Sequence, residues 1–251
     1  AVKQRVSELA QGKKIPVVIF NCIDFTWEAN KQSYPKARAS SDTSNAITSF
    51  FGQDITKVMS TLQTLGNAEL VVVVPDSELL DSRAFSFAQE PQDRKSVGEQ
   101  IKQGLERNLQ QIFDQVGGRV VYWSEYCAEN GLPSPLSYTA ANFERIQANP
   151  KLEKKVRDQV KDSRKYFERL GLPKEQIDQI PQEEIETYVR WYLAMYAGEG
   201  EALADANALV LMPEDGRVPA WFVRGAEGAG KELAMIRPVN PLDYFQGRRR
   251  S

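Results

Sequence analysis

Three short apolar runs stand out in the first half of the chain, over residues 15–20, 70–74 and 119–123. Most of their residues are β-branched or aromatic, and the apolar residues follow one another without polar alternation. Runs of this kind are typical of strands that are buried on both faces, as in a parallel sheet. We therefore predict three parallel strands at these positions.

Apolar residues at helical spacing mark the segments between and after these runs. Ahead of the third run, for example, the residues Val97, Ile101, Leu105, Leu109 and Ile112 recur every three or four positions. We predict helices over residues 2–10, 54–65, 92–115, 138–148, 150–170 and 183–196. Later apolar runs predict short strands over residues 209–212, 220–223 and 232–236.

Strands that alternate with helices form a doubly wound parallel sheet with right-handed crossovers. We therefore expect a Rossmann-like α/β fold with helices flanking the sheet. The length of 251 residues fits a single domain over residues 1–251, with a helical and short-strand C-terminal part from about residue 138. Ligands of such sheets bind beyond the carboxyl ends of the strands, so we expect a site at that edge.

Composition and charge narrow the classes of function. A net charge of −2 gives no global basic excess, which disfavours a protein that wraps nucleic acid without specificity. The sequence has no apolar run of the roughly 18–20 residues that a bilayer crossing requires, and its first residues lack the apolar core of a secretory signal. We expect a cytoplasmic protein that acts on a small-molecule substrate and has no membrane partner.

The chain has no histidine and two cysteines, Cys22 and Cys127. Without histidine, Ser-His-Asp and Cys-His catalytic groups and two-histidine zinc sites are excluded. Proton transfer then falls to Asp, Glu, Tyr, Lys, Cys or water. No glycine-rich phosphate loop follows a predicted strand. We therefore expect neither a metal ion nor a cofactor.

Polar side chains follow each of the three predicted strands. They are Asn21, Cys22 and Asp24, then Asp76, Ser77 and Glu78, then Ser124, Glu125 and Tyr126. Because the carboxyl ends of parallel strands share one edge, we expect these side chains to converge on a site. The alternative is that they are helix caps and loop residues, a common use of Asp, Asn and Ser.

Some of these residues suggest particular roles. Glu125 is our candidate general base, since burial at a strand end would raise its pKa, and Glu153, predicted to be exposed, is its control. Cys22 is either a nucleophile or a small buried hydrophobe. Tyr192 and Tyr196 belong to an aromatic helical stripe, which either covers the site and moves a proton or forms part of the core.

Four features follow one another along most of the chain. They are the polar strand exit Asn21-Cys22, a helix with Arg94, Lys95, Lys102 and Arg107 after the second strand, the strand end Trp123-Ser124-Glu125, and a tyrosine-bearing helix before Trp221-Phe222. In this layout the chain resembles the cyclodipeptide synthases. Their fold is similar to the catalytic domain of class I aminoacyl-tRNA synthetases, and they join two aminoacyl groups taken from tRNA.

The resemblance implies a transferase that uses aminoacyl-tRNA as its partner and forms a small product, a cyclic dipeptide. Together with the strand-end pattern, it implies three sets of residues. The catalytic set is Cys22, Glu125, Tyr192 and Tyr196; the substrate-binding set is Asn21, Asp24, Asp76, Ser124 and Trp221; the tRNA-binding set is Arg94, Lys95, Lys102 and Arg107.

The sequence departs from that family in three places. Cys22 replaces the nucleophilic serine, Tyr196 stands four residues after Tyr192 where a glutamate would follow, and no Tyr-His or Tyr-Pro pair occurs near Trp221-Phe222. The segment Val74-Pro75-Asp76 also resembles isocyanide synthases, whose histidine-bearing motifs are absent here. An isocyanide-synthase-like enzyme and a non-catalytic module that binds a small molecule therefore stay open as alternatives.

Overall fold

The computed structural model describes residues 1–20, 55–76, 94–169, 174–211 and 217–236. Within these ranges the chain forms a sheet of five strands, each parallel to its neighbours. The strands are β1 (Ile15–Phe20), β2 (Ala68–Val74), β3 (Arg119–Tyr122), β4 (Leu209–Leu211) and β5 (Ala234–Ile236). The prediction of a parallel α/β sheet is confirmed.

Helices connect and cover these strands. They are α1 (Val2–Ala10), α2 (residues 55–65), α3 (Arg94–Val116), α4 (Trp123–Glu129), α5 (Pro135–Ala148), α6 (Pro150–Arg169), α7 (Lys174–Gln179), α8 (Gln182–Asp205) and α9 (Arg217–Gly228). The helices predicted from apolar spacing are all present, with ends that differ by a few residues. The largest difference is at α8, which continues past its predicted end at Tyr196 to Asp205.

The strand order across the sheet is β3-β2-β1-β4-β5. This is the order of a Rossmann-like sheet, in which β2 and β3 are added on one side of β1 and the later strands are added on its other side. The reversal lies between β1 and β4, where Ile19 pairs with Leu211. The last residues of β2 and β3, Val74 and Tyr122, pair with each other. The polar residues that follow these two strands therefore start from the same level of the sheet.

Helices cover both faces of the sheet, which explains why its strands are apolar throughout. In β2, Leu70, Val72 and Val74 join a core cluster with residues of α1, α2 and α3, while Val71 and Val73 point to the opposite face. On that face a second cluster combines buried residues from the later helices, among them Trp123, Ile146, Val156, Ile177, Leu193 and Phe222. The sheet is thus packed between two helical layers.

Two predicted elements near this edge have a different secondary structure. Residues 220–223 lie in α9, so the prediction of a strand there is wrong. Trp221, Phe222, Gly225 and Ala226 are buried and the residues between them are partly exposed, which is the spacing of a helical face. Trp123 does not end β3 but begins α4, so the polar residues after it lie on a helix instead of in a loop.

Two glycines bring α8 and α9 into direct backbone contact. A methyl group on Gly225 would lie 1.7 Å from the carbonyl oxygen of Ala197, and one on Gly200 would lie 2.1 Å from the carbonyl oxygen of Phe222. Both positions therefore need glycine because the helices are close, not because the chain turns. The rings of Tyr196 and Phe222 lie beside this contact with centroids 6.1 Å apart, so the contact also fixes where Tyr196 sits.

We expect Gly225→Ala to destabilise the fold, because the methyl group would force α9 away from α8. Overpacking of this kind costs about 1–3 kcal/mol, and more where the backbone cannot shift. Gly104→Ala, within α3, is the matched control, since the added carbon would meet no described atom within 4 Å beyond its chain neighbours and the backbone of its own helix. Alanine there should stabilise the helix by about 1 kcal/mol. Urea denaturation measures both changes, and a Gly225→Ala variant as stable as the wild type would contradict the close contact.

Candidate functional site

The buried carboxylate of Asp76 joins the ends of β2 and β3 at the carboxyl edge of the sheet. Asp76 follows β2 and is 7% exposed, whereas Ser124 lies in the first turn of α4, directly after β3. The backbone N–H of Ser124 donates to Oδ1 of Asp76 at 3.0 Å, and the Ser124 hydroxyl donates to Oδ2. The structure thus brings two of the predicted site residues into direct contact.

This environment changes the acidity of Asp76. Burial raises the pKa of its carboxyl group; the two hydrogen bonds from Ser124 oppose the rise, the charge of Glu125 adds to it, and the net pKa lies above the ordinary aspartate value. A carboxyl group whose pKa is raised toward the working pH can accept a proton and return it, as a general base must. Asp76 therefore has the property that the sequence suggested for Glu125.

Glu125 itself lies beside the pair in a different environment. Its carboxylate accepts a hydrogen bond from the backbone N–H of Tyr122 at 3.0 Å and pairs with Nζ of Lys102 at 3.1 Å, and its side chain is 46% exposed. Burial alone would raise the pKa of Glu125, but these two partners outweigh it and the pKa is lowered. The expected upward shift is wrong, because Glu125 is an ionised carboxylate that caps the start of α4.

A buried thiol lies within electrostatic reach of Asp76, and a second buried carboxylate acts on the same thiol. Cys127 on α4 is 1% exposed, and burial, with the charges of Asp76 and Glu199, raises its pKa to about 12. Such a thiol stays protonated at neutral pH and is a poor nucleophile. Glu199 on α8 is likewise 1% exposed. In the sequence Glu199 follows the predicted helix end at Tyr196; in the structure it lies inside α8, where Tyr192, Tyr196 and Glu199 have the i, i+4, i+7 spacing of one helical face.

Tyr192 and Tyr196 form a hydroxyl pair on α8. The Tyr196 hydroxyl donates to that of Tyr192 at 2.5 Å, and the two rings meet edge to face with centroids 4.7 Å apart. Tyr196 is 7% exposed and belongs to the core, while Tyr192 is partly buried at its margin. The aromatic stripe is therefore core at one end and carries a hydroxyl towards the surface at the other.

Two basic residues predicted to bind tRNA occupy separate places on α3. The ammonium of Lys102 pairs with Glu125 and lies 4.6 Å from the centroid of the Tyr122 ring, so it lies beside the strand-end site. Arg107 is exposed and lines an open depression farther along the helix. Residues five apart on a helix point in directions about 140° apart, so Lys102 and Arg107 do not share a face.

Five predicted site residues lack described side chains, and a sixth is buried in α9. Asn21, Cys22 and Asp24 lie outside the described residues, and Arg94 and Lys95 lie at positions of α3 whose side chains are not described, so their roles stay predictions. The predicted substrate residue Trp221 is 2% exposed in α9, and the Arg224 guanidinium lies 5.1 Å from its ring centroid.

Glu153, predicted as an exposed control, is not exposed. Its side chain is 14% exposed and forms two hydrogen bonds to the guanidinium of Arg190, at 2.6 and 3.0 Å. The prediction failed because Arg190 is on a distant segment of the sequence, so the local charge pattern of α6 does not reveal it. Asp178, an exposed residue of α7, serves as a control carboxylate instead.

Neither a metal centre nor a membrane span can be assigned in the described part of the chain. There, no three Cys, Asp or Glu side chains come together as metal ligands would. In the same ranges no helix combines the length and the apolarity that crossing a bilayer requires.

Comparison with known proteins gives a distant likeness of fold. No family model matches the sequence, and no curated protein matches it. A solved structure described as "structure of a CDPS from Fluoribacter dumoffii" is similar over 93% of this chain and 92% of that chain, with a TM-score of 0.48 and 11% sequence identity. This similarity concerns the fold only.

The two neighbouring carboxylates should affect stability in opposite directions as the pH changes. Asp76 has a folded-state pKa above its ordinary value. Its contribution to the free energy of unfolding is therefore fully present below the ordinary pKa and is lost as the pH rises through the folded-state pKa. Glu125 has a lowered pKa, so its contribution is present above its ordinary value and is lost as the pH falls through the folded one.

Urea denaturation from about pH 3 to pH 7 tests this when the wild type is compared with Asp76→Asn and with Glu125→Gln. As the pH rises, the stability of the wild type relative to Asp76→Asn should fall, and its stability relative to Glu125→Gln should rise. Hydrogen bonds that the amides gain or lose shift each difference at every pH but do not change its slope. If both stability differences changed with pH in the same direction, the environments assigned to Asp76 and Glu125 would be wrong.

Proposed function

We propose that the protein is a transferase of the cyclodipeptide-synthase kind, which forms a small amino-acid-derived product from aminoacyl groups carried by tRNA. The Asp76–Ser124 pair is the observation that carries the proposal: a buried carboxylate with a raised pKa, bonded to a half-buried hydroxyl. It lies at the carboxyl edge of a Rossmann-like sheet, where ligands of such sheets bind. The order of parts along the sequence, which resembles that family, supports the same reaction class.

Peptide-bond formation between two aminoacyl groups needs a base. The attacking amine is protonated at neutral pH and must lose a proton before its nitrogen bonds to the carbonyl carbon of the other group. The bond from that carbon to its leaving atom then breaks, and the leaving atom takes up a proton. The amine releases one proton to solvent when it becomes neutral. In our proposal its nitrogen loses a second proton as the new bond forms, and the Ser124 hydroxyl passes this proton to Asp76, which returns it to the leaving atom.

Other residues have supporting roles in this proposal. Cys22 accepts the first aminoacyl group as a thioester, a role that rests on the family resemblance; the thiol loses a proton and the ester oxygen of the tRNA gains one. Cys127 does not suit that role, because it is buried and its pKa is raised to about 12. The hydroxyl pair of Tyr192 and Tyr196 offers an acceptor and a donor that can orient the amine.

Ser124→Ala is the sharpest variant for this proposal, because it removes the hydroxyl and keeps the backbone N–H that holds Asp76. We expect product formation to fall by about 100- to 10,000-fold in Ser124→Ala and in Asp76→Asn, the range that a positioned acid or base contributes. Ser7→Ala and Asp178→Asn, at exposed helical positions, are the matched controls and should leave the rate unchanged. The assay is incubation with charged tRNAs followed by mass spectrometry of small products.

The outcomes separate the open alternatives. Cyclic dipeptides that appear at the wild-type rate in both Ser124→Ala and Asp76→Asn would remove the pair from the mechanism. A product that forms from free amino acids without tRNA would favour the isocyanide-synthase-like alternative. If the wild type forms no product from any charged tRNA, the transferase proposal fails and the non-catalytic binding module is preferred.

Lys102 offers a separate test of tRNA use. Its ammonium pairs with Glu125 beside the strand-end site. Lys102→Gln should therefore raise the KM for aminoacyl-tRNA and reduce the salt dependence of binding by about one unit of slope, as loss of one phosphate contact does. Lys174→Gln, at an exposed position of α7, is the control. Filter binding over a range of salt concentrations measures the slope, and an unchanged slope would exclude a phosphate contact of Lys102.

A further inference from the structure

A pocket opens at the amino-terminal edge of the sheet, opposite the strand-end site. Its volume is about 350 Å³, which is in the range of small-molecule sites. The first residues of β1 and β3, Ile15 and Arg119, lie in its wall, together with the end of α4 and the turn after α8. β1 spans six residues at about 3.3 Å each, so roughly 20 Å separates the two edges.

Charged side chains of both signs line this pocket in equal numbers. The cations are Lys13, Lys14 and Arg119, and the carboxylates are Glu8, Glu69 and Glu129. A ligand of one sign would therefore meet as much repulsion as attraction in this pocket. A ligand that carries both signs can match the wall if its charges are oriented with it.

The ion pairs that line the pocket differ in distance and in exposure to solvent. Glu69 is held by Lys14 at 2.6 Å and by Arg119 at 3.2 Å, and Arg119 also pairs with Glu129 at 2.7 Å. Lys13 reaches Glu8 at 3.5 Å and is 61% exposed. Lys13 is thus a loosely paired cation, and the Glu129 side chain, 47% exposed, has an open side towards the solvent.

The phenol of Tyr126 supplies an independent sign of a ligand. The residue is 1% exposed and its ring stacks on Trp123 with centroids 5.4 Å apart, yet its hydroxyl has no hydrogen-bond partner among the described residues. The side chain lines the pocket, and the charges of Arg119, Glu69 and Glu129, which line it too, act on the phenol. The hydroxyl is therefore a buried donor beside the charged wall of the pocket. A buried hydroxyl without a partner costs about 1–3 kcal/mol, which a ligand oxygen would offset.

We propose that this pocket binds a small zwitterion, an α-amino acid, as a second ligand site distinct from the strand-end site. Its carboxylate accepts a hydrogen bond from the Tyr126 hydroxyl and faces Arg119 and Lys13, and its ammonium group faces Glu129. Burial raises the pKa of Tyr126, so the phenol is a neutral donor at pH 7. The inference does not rest on the proposed function, because it uses a different edge of the sheet and a different set of residues.

Calorimetric titration of the full chain with the standard L-amino acids, each up to about 10 mM, tests the proposal. We expect at least one amino acid to bind, and its analogues that lack the amino or the carboxyl group to bind at least about tenfold more weakly; for alanine these are propionate and ethylamine. Tyr126→Phe keeps the ring and its stacking and should weaken binding about tenfold, the effect of one hydrogen bond, without lowering the melting temperature.

Variants at the two edges of the sheet distinguish binding in this pocket from binding at the strand-end site. Arg119→Gln should weaken binding as Tyr126→Phe does, whereas Ser124→Ala and the core variant Tyr138→Phe should bind as the wild type does. No binding by any amino acid would overturn the proposal, and so would binding that both Tyr126→Phe and Arg119→Gln leave unchanged. Binding that is lost in Ser124→Ala would place the amino acid at the strand-end site and would also overturn it.

Discussion

The contact between Asp76 and Ser124 is the interaction on which the candidate site depends. The pairing of Val74 with Tyr122 at the ends of β2 and β3 brings Asp76 level with the first turn of α4. The first N–H groups of a helix have no partner within it, and Asp76 accepts one of them from Ser124. A single carboxylate thus ties a strand to a helix while it is itself held in a buried position.

The site divides its two neighbouring carboxylates into different roles. Asp76 is buried and bonded to neutral donors, whereas Glu125 is half exposed and bonded to the ammonium of Lys102. Their pKa values therefore move apart, and this separation is the usual sign of an acid–base assignment. On α8 and α9, the close glycine contact lies beside Tyr196 of the tyrosine hydroxyl pair, so the position of that pair depends on packing.

The fold was largely predictable because its strands are buried on both faces. A run such as Leu70–Val74 can be placed in few other environments, and the rule that parallel strands share a carboxyl edge then brings Asp76 and Ser124 together. Trp221 and Phe222 misled the prediction, because a short apolar run fits a strand or a helix until the positions beyond it are counted. Gly198 and Gly200, which resemble helix breakers, lie inside α8 because α5 and α9 pack closely against them.

The direction of the Glu125 pKa was not predicted because Lys102, which pairs with Glu125, lies on another helix. The backbone N–H of Tyr122 also lowers this pKa, but residues 119–123 were predicted as strand, so the start of α4 that Glu125 caps was not expected there. The acid–base role of the site depends on the pKa of Asp76. Carboxyl carbon NMR of the chain labelled at aspartate, with Asp76→Asn to assign the signal, measures its pKa directly. The account predicts a pKa above the ordinary aspartate value, and a pKa at or below that value would contradict it.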